Sequence, residues 1–335
     1  MNFLWRNTMK MCMIGNSGHG LSILPELDKR SDLFLTGFCE GYSGESQEIF
    51  YKEIVEKRNI KINIYDSYEK MLDKEKPDLL VIDGVFGQHG RMTMEALQRG
   101  IHVFVDKPVA TEFSELEKLE SIIKNSKARL FAMLTMRYEA PFYTAQKLIR
   151  EGMIGKLRML NGQKSYKLGK RPEFYTKRNE FGGITPWISI HMIDLILWYT
   201  QKKCISVSSY HDNHDNQRHG DMEMISQCSM QLEDHILAGI NSDYYRPATA
   251  PTHGDDRLRI VGTEGILEIL HGRLVGIDKT GEYEIPLLTP PGLFEDCLRM
   301  IECEDYSQNM DGLECTRVSL MLRESADMGK RLWVE

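Results

Sequence analysis

The sequence predicts an α/β protein of two domains, a doubly wound domain with a parallel sheet followed by an α+β domain with an open, mostly antiparallel sheet. A chain of 335 residues is too long for one small core and suits two ordinary domains. Up to residue 135, short apolar runs alternate with amphipathic segments, which is typical of a parallel sheet wound with helices. From residue 136 strand-like runs dominate, which indicates an α+β domain. We therefore predict domains at residues 1–135 and 136–335.

The N-terminal domain is predicted to alternate strands with helices. The strand-like runs are residues 10–14, 33–39, 79–83, 102–105 and 130–134. The amphipathic segments between them are residues 68–74, 91–99 and 115–124. This alternation favours βαβ units and one parallel sheet.

The C-terminal domain is predicted to be rich in strands, with few helices. Its strand-like runs are residues 157–166, 205–210, 224–232, 235–243, 258–261 and 266–270. Helices are predicted at residues 141–151 and 185–199. A last helical stretch, residues 313–331, closes the chain, and we expect it to pack back on the N-terminal domain.

The composition excludes some classes of function. The net charge of −7 argues against a general nucleic-acid binder, because phosphate binding needs a surplus of Lys and Arg. No apolar run approaches the ~18 residues that a bilayer span needs, so we expect no membrane partner. Seven scattered cysteines without a Cys-x-x-Cys pair indicate reduced thiols, and residues 1–8 lack the features of a secretory signal. Both observations favour a cytoplasmic location.

A glycine-rich turn, GNSGHG, follows the first predicted strand directly and has Ser17 where the Gly-x-Gly-x-x-Gly pattern has its second glycine. Between a strand and a helix this pattern binds the pyrophosphate of a dinucleotide, which indicates a Rossmann domain. Glu40, at the end of the second strand, would accept hydrogen bonds from the ribose diol and repel a 2′-phosphate, so NAD is predicted over NADP. Pro25 should distort or shorten the first helix. The predicted cofactor-binding residues here are Gly15, Asn16, Ser17, Gly18, His19, Gly20 and Glu40.

Further motifs, which follow in chain order, resemble the glucose–fructose oxidoreductase/inositol dehydrogenase/MocA (Gfo/Idh/MocA) family. The family has a Glu-Lys-Pro tripeptide after its fifth strand, and here Asp106 replaces the Glu. The matching segments are VDKP at 105–108, MRY at 136–138, GG at 182–183 with His191 and Asp194 after it, and VGTEG at 261–265. The resemblance covers nearly the whole chain and implies a nicotinamide-dependent oxidoreductase.

The resemblance implies catalytic roles for Lys107, His191 and Asp194. Lys107 follows a parallel strand at its carboxyl end, where its ammonium can hydrogen-bond a substrate hydroxyl and stabilise an alkoxide. His191 suits proton transfer, because a free imidazole has a pKa of ~6.5. Asp194 lies one helical turn later, near the imidazole. The residues predicted to complete the cofactor site are His89, Asp106, Lys107 and Pro108.

One position departs from the family pattern. The family usually carries an Asp four residues before the histidine, and this chain has Trp187 there. Asp194, or a group from another loop, could replace the missing carboxylate, and Trp187 could provide an apolar surface for a sugar ring. The departure also leaves open a non-catalytic sensor or regulatory protein that binds the cofactor without turnover.

Two loops supply further candidates for substrate binding. Residues 166–183 interleave Tyr and Phe with Lys and Arg, and could hold an anionic or sugar-like ligand or be a solvated loop. Residues 246–256 offer Arg246 to a carboxylate and His253 to hydroxyls, or form an exposed loop or a subunit contact. The predicted substrate-binding residues are Lys107, Arg137, Tyr166, Trp187, His191, Tyr245, Arg246 and His253.

A metal site is the weaker interpretation of a third loop. His211, His214 and His219 lie among Asp and Asn side chains and could bind a transition metal. We instead expect a substrate-facing loop and no metal.

The leading hypothesis is hydride transfer between NAD(H) and a secondary alcohol or ketone of a sugar, cyclitol or related polyol. The alternative enzyme keeps NAD bound and uses a transient oxidation to drive elimination or hydrolysis, as a lyase or glycosidase. An open sheet face in the second domain predicts a homodimer or homotetramer.

Overall fold

The chain forms two compact units in the structure, a computed structural model that describes residues 8–305, 308 and 310–334. The first unit runs up to Met133 and includes Gly292–Leu313. The second comprises Leu134–Pro291 and the chain from Glu314 onward. The predicted boundary after residue 135 lies close to this division. The predicted lack of a secretory signal falls almost wholly on residues 1–7, outside the described residues.

The first unit contains a six-stranded sheet in which every pair of neighbours is parallel. The strands are β1 Met9–Ile14, β2 Leu33–Cys39, β3 Asn63–Tyr65, β4 Leu79–Ile82, β5 His102–Val105 and β6 Leu130–Ala132. Their order is β3-β2-β1-β4-β5-β6, so the chain reverses direction across the sheet between β1 and β4. Ligands of doubly wound sheets bind at the carboxyl ends of the strands beside such a reversal. The predicted Rossmann-type sheet is confirmed, with the short β3 as an additional strand.

Six α-helices of the described chain belong to the first unit. They are α1 Leu24–Lys29, α2 Glu48–Phe50, α3 Tyr68–Glu75, α4 Phe86–Gln98, α5 Phe113–Asn125 and, from the later segment, α9 Leu293–Glu302. A 3₁₀ turn at Gly20–Ile23 precedes α1, which has Pro25 in its first turn and is only six residues long. The helix after the glycine-rich turn is therefore short, as Pro25 indicates.

The second unit contains a nine-stranded sheet with the order β14-β13-β12-β11-β7-β10-β9-β8-β15. Its strands are β7 Leu157–Tyr166, β8 Cys204–Asp212, β9 Ile225–Leu232, β10 Leu237–Asp243, β11 Gly254–Gly262, β12 Ile266–Leu270, β13 Arg273–Asp278, β14 Gly281–Glu284 and β15 Leu332–Trp333. Only the central β7–β10 pair is parallel. The mostly antiparallel sheet is thereby confirmed, and β13, β14 and β15 extend it beyond the predicted strands.

The helices of the second unit are α6 Ala140–Arg150, α7 Arg178–Phe181, α8 Ile190–Thr200 and α10 Asp311–Met328. Helix α8 is buried almost all round and packs on β7, where Gly162 leaves room for the side chain of Met192. From Glu314 onward α10 belongs to the second unit, and the packing of the last helix on the N-terminal domain stays a prediction. The segment that returns to the first unit is the one that carries α9.

One helical segment is long and apolar enough to span a bilayer, against the expectation from the sequence that none is. Arg178–Thr200 meets this test by length and composition only, and 89% of its most apolar window is buried inside the protein. A core helix passes the same test, and the packing of α8 on β7 accounts for its apolar composition.

Candidate active site

The glycine-rich turn adopts the tight conformation that its sequence predicts. Gly15 has φ of 74°, and a Cβ there would lie 2.1 Å from the carbonyl oxygen of Asp83, so only glycine fits. The backbone N–H groups of the turn donate to carboxylates, from Asn16 to Glu45 at 3.0 Å and from Gly20 to Asp83 at 2.8 Å. The turn thus satisfies its amides with the protein's own acidic side chains.

Two buried carboxyl groups face each other beneath Gly18. A Cβ at Gly18 would lie 2.5 Å from Oδ1 of Asp83 and 2.1 Å from Oδ2 of Asp106. Burial, and then the charge of Asp106, raise the pKa of Asp83 well above its usual value. Burial also opposes ionisation of Asp106, but His19, whose Nδ1 lies 2.9 Å from Oδ1, and Lys107 hold its pKa below the usual value. Of the two carboxyl groups, Asp83 is therefore the one that binds a proton more readily.

Glu45 closes the loop after β2 onto the turn. Its side chain is buried and accepts hydrogen bonds from the N–H of Asn16, the hydroxyl of Ser17 and, at 2.8 Å, the N–H of Gly41. The hydroxyl that the sequence offers to a phosphate is therefore bonded within the protein. No local sequence signal marks Glu45, because its role depends on the fold bringing this loop beside β1.

The turn fits a dinucleotide in its backbone shape. It follows β1 at the reversal of the sheet, and its amides are the donors that a pyrophosphate would bind. Asn16 also has a buried side-chain nitrogen, Nδ2, without a hydrogen-bond partner. Glu40 is exposed directly after β2, and the side chain of Gln47 donates to its carboxylate. An incoming pyrophosphate would meet negative charge here, because the carboxylates of Glu45 and Asp106 already accept hydrogen bonds from backbone N–H groups of the turn.

Lys107, Pro108 and His89 lie together at the carboxyl ends of β4 and β5. The side chain of Lys107 is buried, with 1% of its surface exposed, and a cis peptide bond joins it to Pro108. His89 has one ring nitrogen 2.9 Å from the carbonyl of Pro108 and the other 3.3 Å from that of Gly84. Burial lowers the pKa of His89. Its complete burial favours a structural link between the two loops over the predicted contact with the cofactor.

His191 is the second residue of α8 in the second unit and is almost completely buried. The residues before it, Thr185–Ser189, form a π-helical turn, which replaces the 3.6-residue spacing of an α-helix. The spacing that aligns position 187 with position 191 in a regular helix therefore does not hold. Trp187 is buried in this turn, and its ring meets Tyr175 edge-on at 6.2 Å between centroids.

Arg137 and Asp194, predicted separately as a substrate-binding and a catalytic residue, form a buried ion pair with each other. Nε of Arg137 lies 2.9 Å from both carboxylate oxygens of Asp194, and Nη2 lies 2.5 Å from Oδ1. The guanidinium also stacks over Trp198 at 5.3 Å, and the thiol of Cys315 donates to Asp194 at 3.4 Å. This placement favours a positioning role for the pair, which ties the start of α6 to α8.

A second charged cluster lies at the end of β7. Nζ of Lys164 is buried 2.7 Å from Oδ2 of Asp256 and 5.0 Å from the centre of the Tyr166 ring. Burial alone would lower the pKa of Lys164, but Tyr166 and Asp256 raise it above the usual value. The ring of His253 lies 5.0 Å from that of Tyr166. The structure thus brings together Tyr166 and His253 from the two predicted loops.

The remaining candidates contact other groups of the protein, and only Arg246 does so within its own loop. Arg246 donates to the carbonyl and hydroxyl oxygens of Thr252 at 3.0 and 2.7 Å, and the Tyr245 hydroxyl donates to the carbonyl of His214 at 2.6 Å. His211 lies 3.0 Å from Asp327. Within residues 8–305, 308 and 310–334, no three His, Cys, Asp or Glu side chains are grouped so that they could hold a metal ion.

Sequence reasoning missed several residues of these two sites. Asp83 follows a parallel strand as Lys107 does, so the same end-of-strand signal could have identified it. Lys164 could have been found from strand alternation, because it shares the inward face of β7 with Leu160. Asp256 carries no such signal, since its partner lies 92 positions away.

Comparisons with known proteins match both halves of the chain to one family. Residues 9–133 match the model of an oxidoreductase family with an NAD-binding Rossmann fold, and residues 142–268 match the GFO/IDH/MocA C-terminal domain. A solved Thermotoga maritima protein assigned as an oxidoreductase is 42% identical, with a TM-score of 0.93 over 97% of this chain and 100% of its own.

Curated relatives are more distant. Glycosyl hydrolase family 109 protein 2 of Akkermansia muciniphila is 24% identical over an alignment of 206 positions that covers 51% of this chain and 39% of the relative. The scyllo-inositol 2-dehydrogenase (NAD(+)) of Bacillus subtilis is 26% identical over 207 residues, 61% of this chain and 58% of the relative. The match to each of these two relatives spans less than two thirds of its length.

Proposed function

The chain belongs to the Gfo/Idh/MocA family of oxidoreductases, and from this premise we propose that it transfers a hydride between NAD(H) and a secondary alcohol or ketone of a sugar, cyclitol or related polyol. The observation that carries the proposal is the buried ammonium of Lys107, which follows β5 beside the carboxylate that contacts the glycine-rich turn. A charge buried at the ligand-binding edge of a doubly wound sheet is typical of a functional residue. Relatives of the chain that are named inositol dehydrogenases support a polyol as the class of substrate.

In the proposed reaction, bound NAD supplies the hydride acceptor, and the protein supplies orientation and proton transfer. Lys107 donates a hydrogen bond to the reacting oxygen and stabilises its negative charge. His191 takes up the proton of the alcohol. Buried surroundings strengthen both interactions, because they exclude the water that would screen them.

Removal of the Lys107 ammonium tests this assignment. We expect Lys107→Met to lower kcat by about 100- to 1000-fold on a substrate found in a polyol and sugar screen, because one stabilising donor is lost. Absorbance of NADH reports the rate, and Lys118→Met, at an exposed lysine of α5, is the matched control. Equal rates for the parent and Lys107→Met would remove Lys107 from the mechanism.

The choice of NAD over NADP is a separate proposal, which rests on Glu40. The carboxylate lies exposed after β2, where it can accept from a ribose diol and repel a 2′-phosphate. We expect NADH to bind at least tenfold more tightly than NADPH in a titration followed by nicotinamide fluorescence, and Glu40→Gln to reduce that preference. Equal affinities in the parent protein would contradict this role.

A second candidate function follows from one comparison. Because one relative carries the name of a glycosyl hydrolase family, the chain could use bound NAD for a transient oxidation that drives elimination or hydrolysis. Such an enzyme forms product from a glycoside without accumulating NADH. Sugar release and NADH absorbance, measured on the same sample, separate this reaction from net dehydrogenation.

We also propose that copies of the chain associate through the uncovered face of the second sheet, in the cytoplasm. Met159 and Leu237 are neighbours on that face, with 37% and 55% of their surfaces exposed, and Ile225 is exposed on β9. No disulfide occurs in the described chain, which fits a reducing compartment. Light scattering of the purified protein tests the association of copies, and cell fractionation tests the cytoplasmic location.

A further inference from the structure

Three cations converge at the end of β7 and in the chain that follows it. Lys164 and Tyr166 share the inward face of β7, the face on which Gly162 meets Met192 of α8. The charges of Arg171, Lys167 and Lys164 all act on His253 and, together with burial, which is the largest cause, lower its pKa. The backbone N–H of Lys167 donates to the carbonyl of His253 at 3.0 Å, so the three cations lie close to one another at the end of β7.

Lys167 and Arg171 have no acidic partner in the described part of the chain. Nζ of Lys167 donates to the carbonyl of Ala250 at 2.5 Å, and Nη2 of Arg171 donates to the carbonyl of Lys167 at 3.1 Å. Lys164 differs, because Asp256 neutralises it. The charge of a second acid, Glu139, helps to raise the pKa of Tyr166. Two positive charges thus remain without carboxylates beside a neutralised pair.

Arg171 is held in a fixed orientation by aromatic rings. Its guanidinium carbon lies 5.5 Å from the centre of the Tyr175 ring and 5.0 Å from that of Tyr244. Its Nε is buried without an acceptor, so the protein does not complete the hydrogen bonding of this half-buried group. A guanidinium fixed by stacking, with one donor nitrogen unused, matches the forked geometry of a carboxylate.

Arg171 is linked through Tyr175 to the turn that carries Trp187. Tyr175 contacts both Arg171 and, edge-on, Trp187, which lies in the π-helical turn before His191. An anion held at Arg171 would therefore lie beside the segment to which we assign proton transfer. A ligand that reaches from Arg171 to the segment of His191 needs an anionic group at one end and a hydroxyl-bearing carbon towards the other.

We propose that Arg171 and Lys167, supported by Lys164, form a subsite for the carboxylate of an acidic sugar, so that the substrate class is uronic or aldonic acids rather than neutral polyols. The proposal rests on the proposed function and narrows it. Arg171 provides the fork that binds both carboxylate oxygens, and Lys167 provides a second positive charge. Lys164 is a positioning residue, because its charge is committed to Asp256.

Calorimetric titration with and without NADH tests the subsite without requiring turnover. The probes are D-glucuronate, D-galacturonate, D-gluconate and D-galactonate, with D-glucose and D-galactose as neutral counterparts. We expect at least one acid to bind tenfold or more tightly than its neutral counterpart. Arg171→Gln should weaken that binding about tenfold to a hundredfold, because a hydrogen bond to a charged group is lost.

Matched variants separate this role from general effects of charge or folding. Arg257→Gln removes an exposed guanidinium of the same unit, paired with Asp255, and should leave the affinity for the acid unchanged. Arg171→Lys keeps the charge but not the fork, and should recover only part of the affinity. Thermal unfolding of each variant shows that the fold is retained.

The outcomes distinguish the subsite from the dehydrogenase reaction. An acid that binds through Arg171 but yields no NADH supports the subsite and contradicts the proposed oxidation. Oxidation of a neutral polyol, with no acid bound more tightly than its neutral counterpart, overturns the subsite alone. Selective binding of glucose 6-phosphate instead of the acids overturns the choice of carboxylate, and so does an Arg171→Gln protein that binds the acid like the parent.

Discussion

In the first unit the buried carboxyl groups of Asp83 and Asp106 face each other beneath a glycine, whereas in the second unit the carboxylates of Asp194 and Asp256 each face a cation. In the acidic pair, Asp83 has a raised pKa and accepts from the N–H of Gly20, while His19 and Lys107 stabilise the charge of Asp106. The ion pairs rely on Arg137 and Lys164. A buried carboxyl group can thus be accommodated by a raised pKa or by an ion pair with a cation. The two arrangements respond differently to mutation and to pH.

The largest expected effect follows from breaking an ion pair of the second unit. Asp194→Asn leaves the guanidinium of Arg137 buried without a full counter-charge, so we expect the free energy of unfolding to fall by about 3–5 kcal/mol. Urea unfolding measures it. Asp66→Asn, which breaks an exposed pair with Lys70, should change stability far less. Equal losses in the two variants would show that burial does not distinguish these pairs.

The next effect concerns the backbone of the glycine-rich turn. Gly15→Ala places a Cβ against the carbonyl of Asp83 at positive φ, and we expect a loss of more than about 2 kcal/mol, together with weaker NADH binding. Gly100 has nearly the same φ, 77°, and open space around its Cβ position, so Gly100→Ala shows the conformational cost alone. If both variants lose the same stability in urea, the close approach to Asp83 contributes nothing.

The effect expected to be smallest, counted per unit of pH, is a dependence of stability on pH. The pKa of Asp83 in the folded protein lies above its usual value of 3.8, so the folded state binds more protons than the unfolded state between these two values. The stability contributed by this group is therefore lost as pH rises through that window. Asp83→Asn cannot ionise, and its advantage over the parent should grow with pH by at most about 1.4 kcal/mol per unit.

Urea unfolding of the parent and Asp83→Asn across pH 4.5 to 8 measures this difference. NADH titrations over the same range show whether the acidic pair also opposes the pyrophosphate. A difference in stability that stays constant, or that shrinks as pH rises, would refute the raised pKa of Asp83 and remove the contrast between the two units.

Much of the fold follows from local patterns in the sequence. The strands Leu33–Cys39, His102–Val105, Leu157–Tyr166 and Ile266–Leu270 have the predicted bounds, because apolar runs or alternation mark them clearly. The three-residue β3 and the hairpin β13–β14 lack a comparable signal. Helix α9 was also missed, although Gly292 and the acidic residues of its first turn mark its start.

The candidate site likewise has residues that the sequence reveals and residues that it does not. The GNSGHG turn and Lys107 are recognisable because a strand, a turn and a motif lie together in the chain. The pairing of Arg137 with Asp194 is not recognisable, since 57 positions separate them and each resembles a site residue by itself. The motif at His191 also suggests that Trp187 lies one regular helical turn before it. The structure has a π-helical turn there, which the residue spacing does not reveal.

The sequence by itself determined the two-domain order, the parallel and mostly antiparallel sheets, the glycine-rich turn and the family. These depend on short-range periodicity, on glycine and on contiguous motifs. Only the tertiary structure decided that Asp106 meets Asp83, that Glu45 contacts the turn and that Arg171 has no acidic partner among the described residues. Charge compensation acts over a few ångströms in space, and sequence separation does not constrain which groups the fold brings that close.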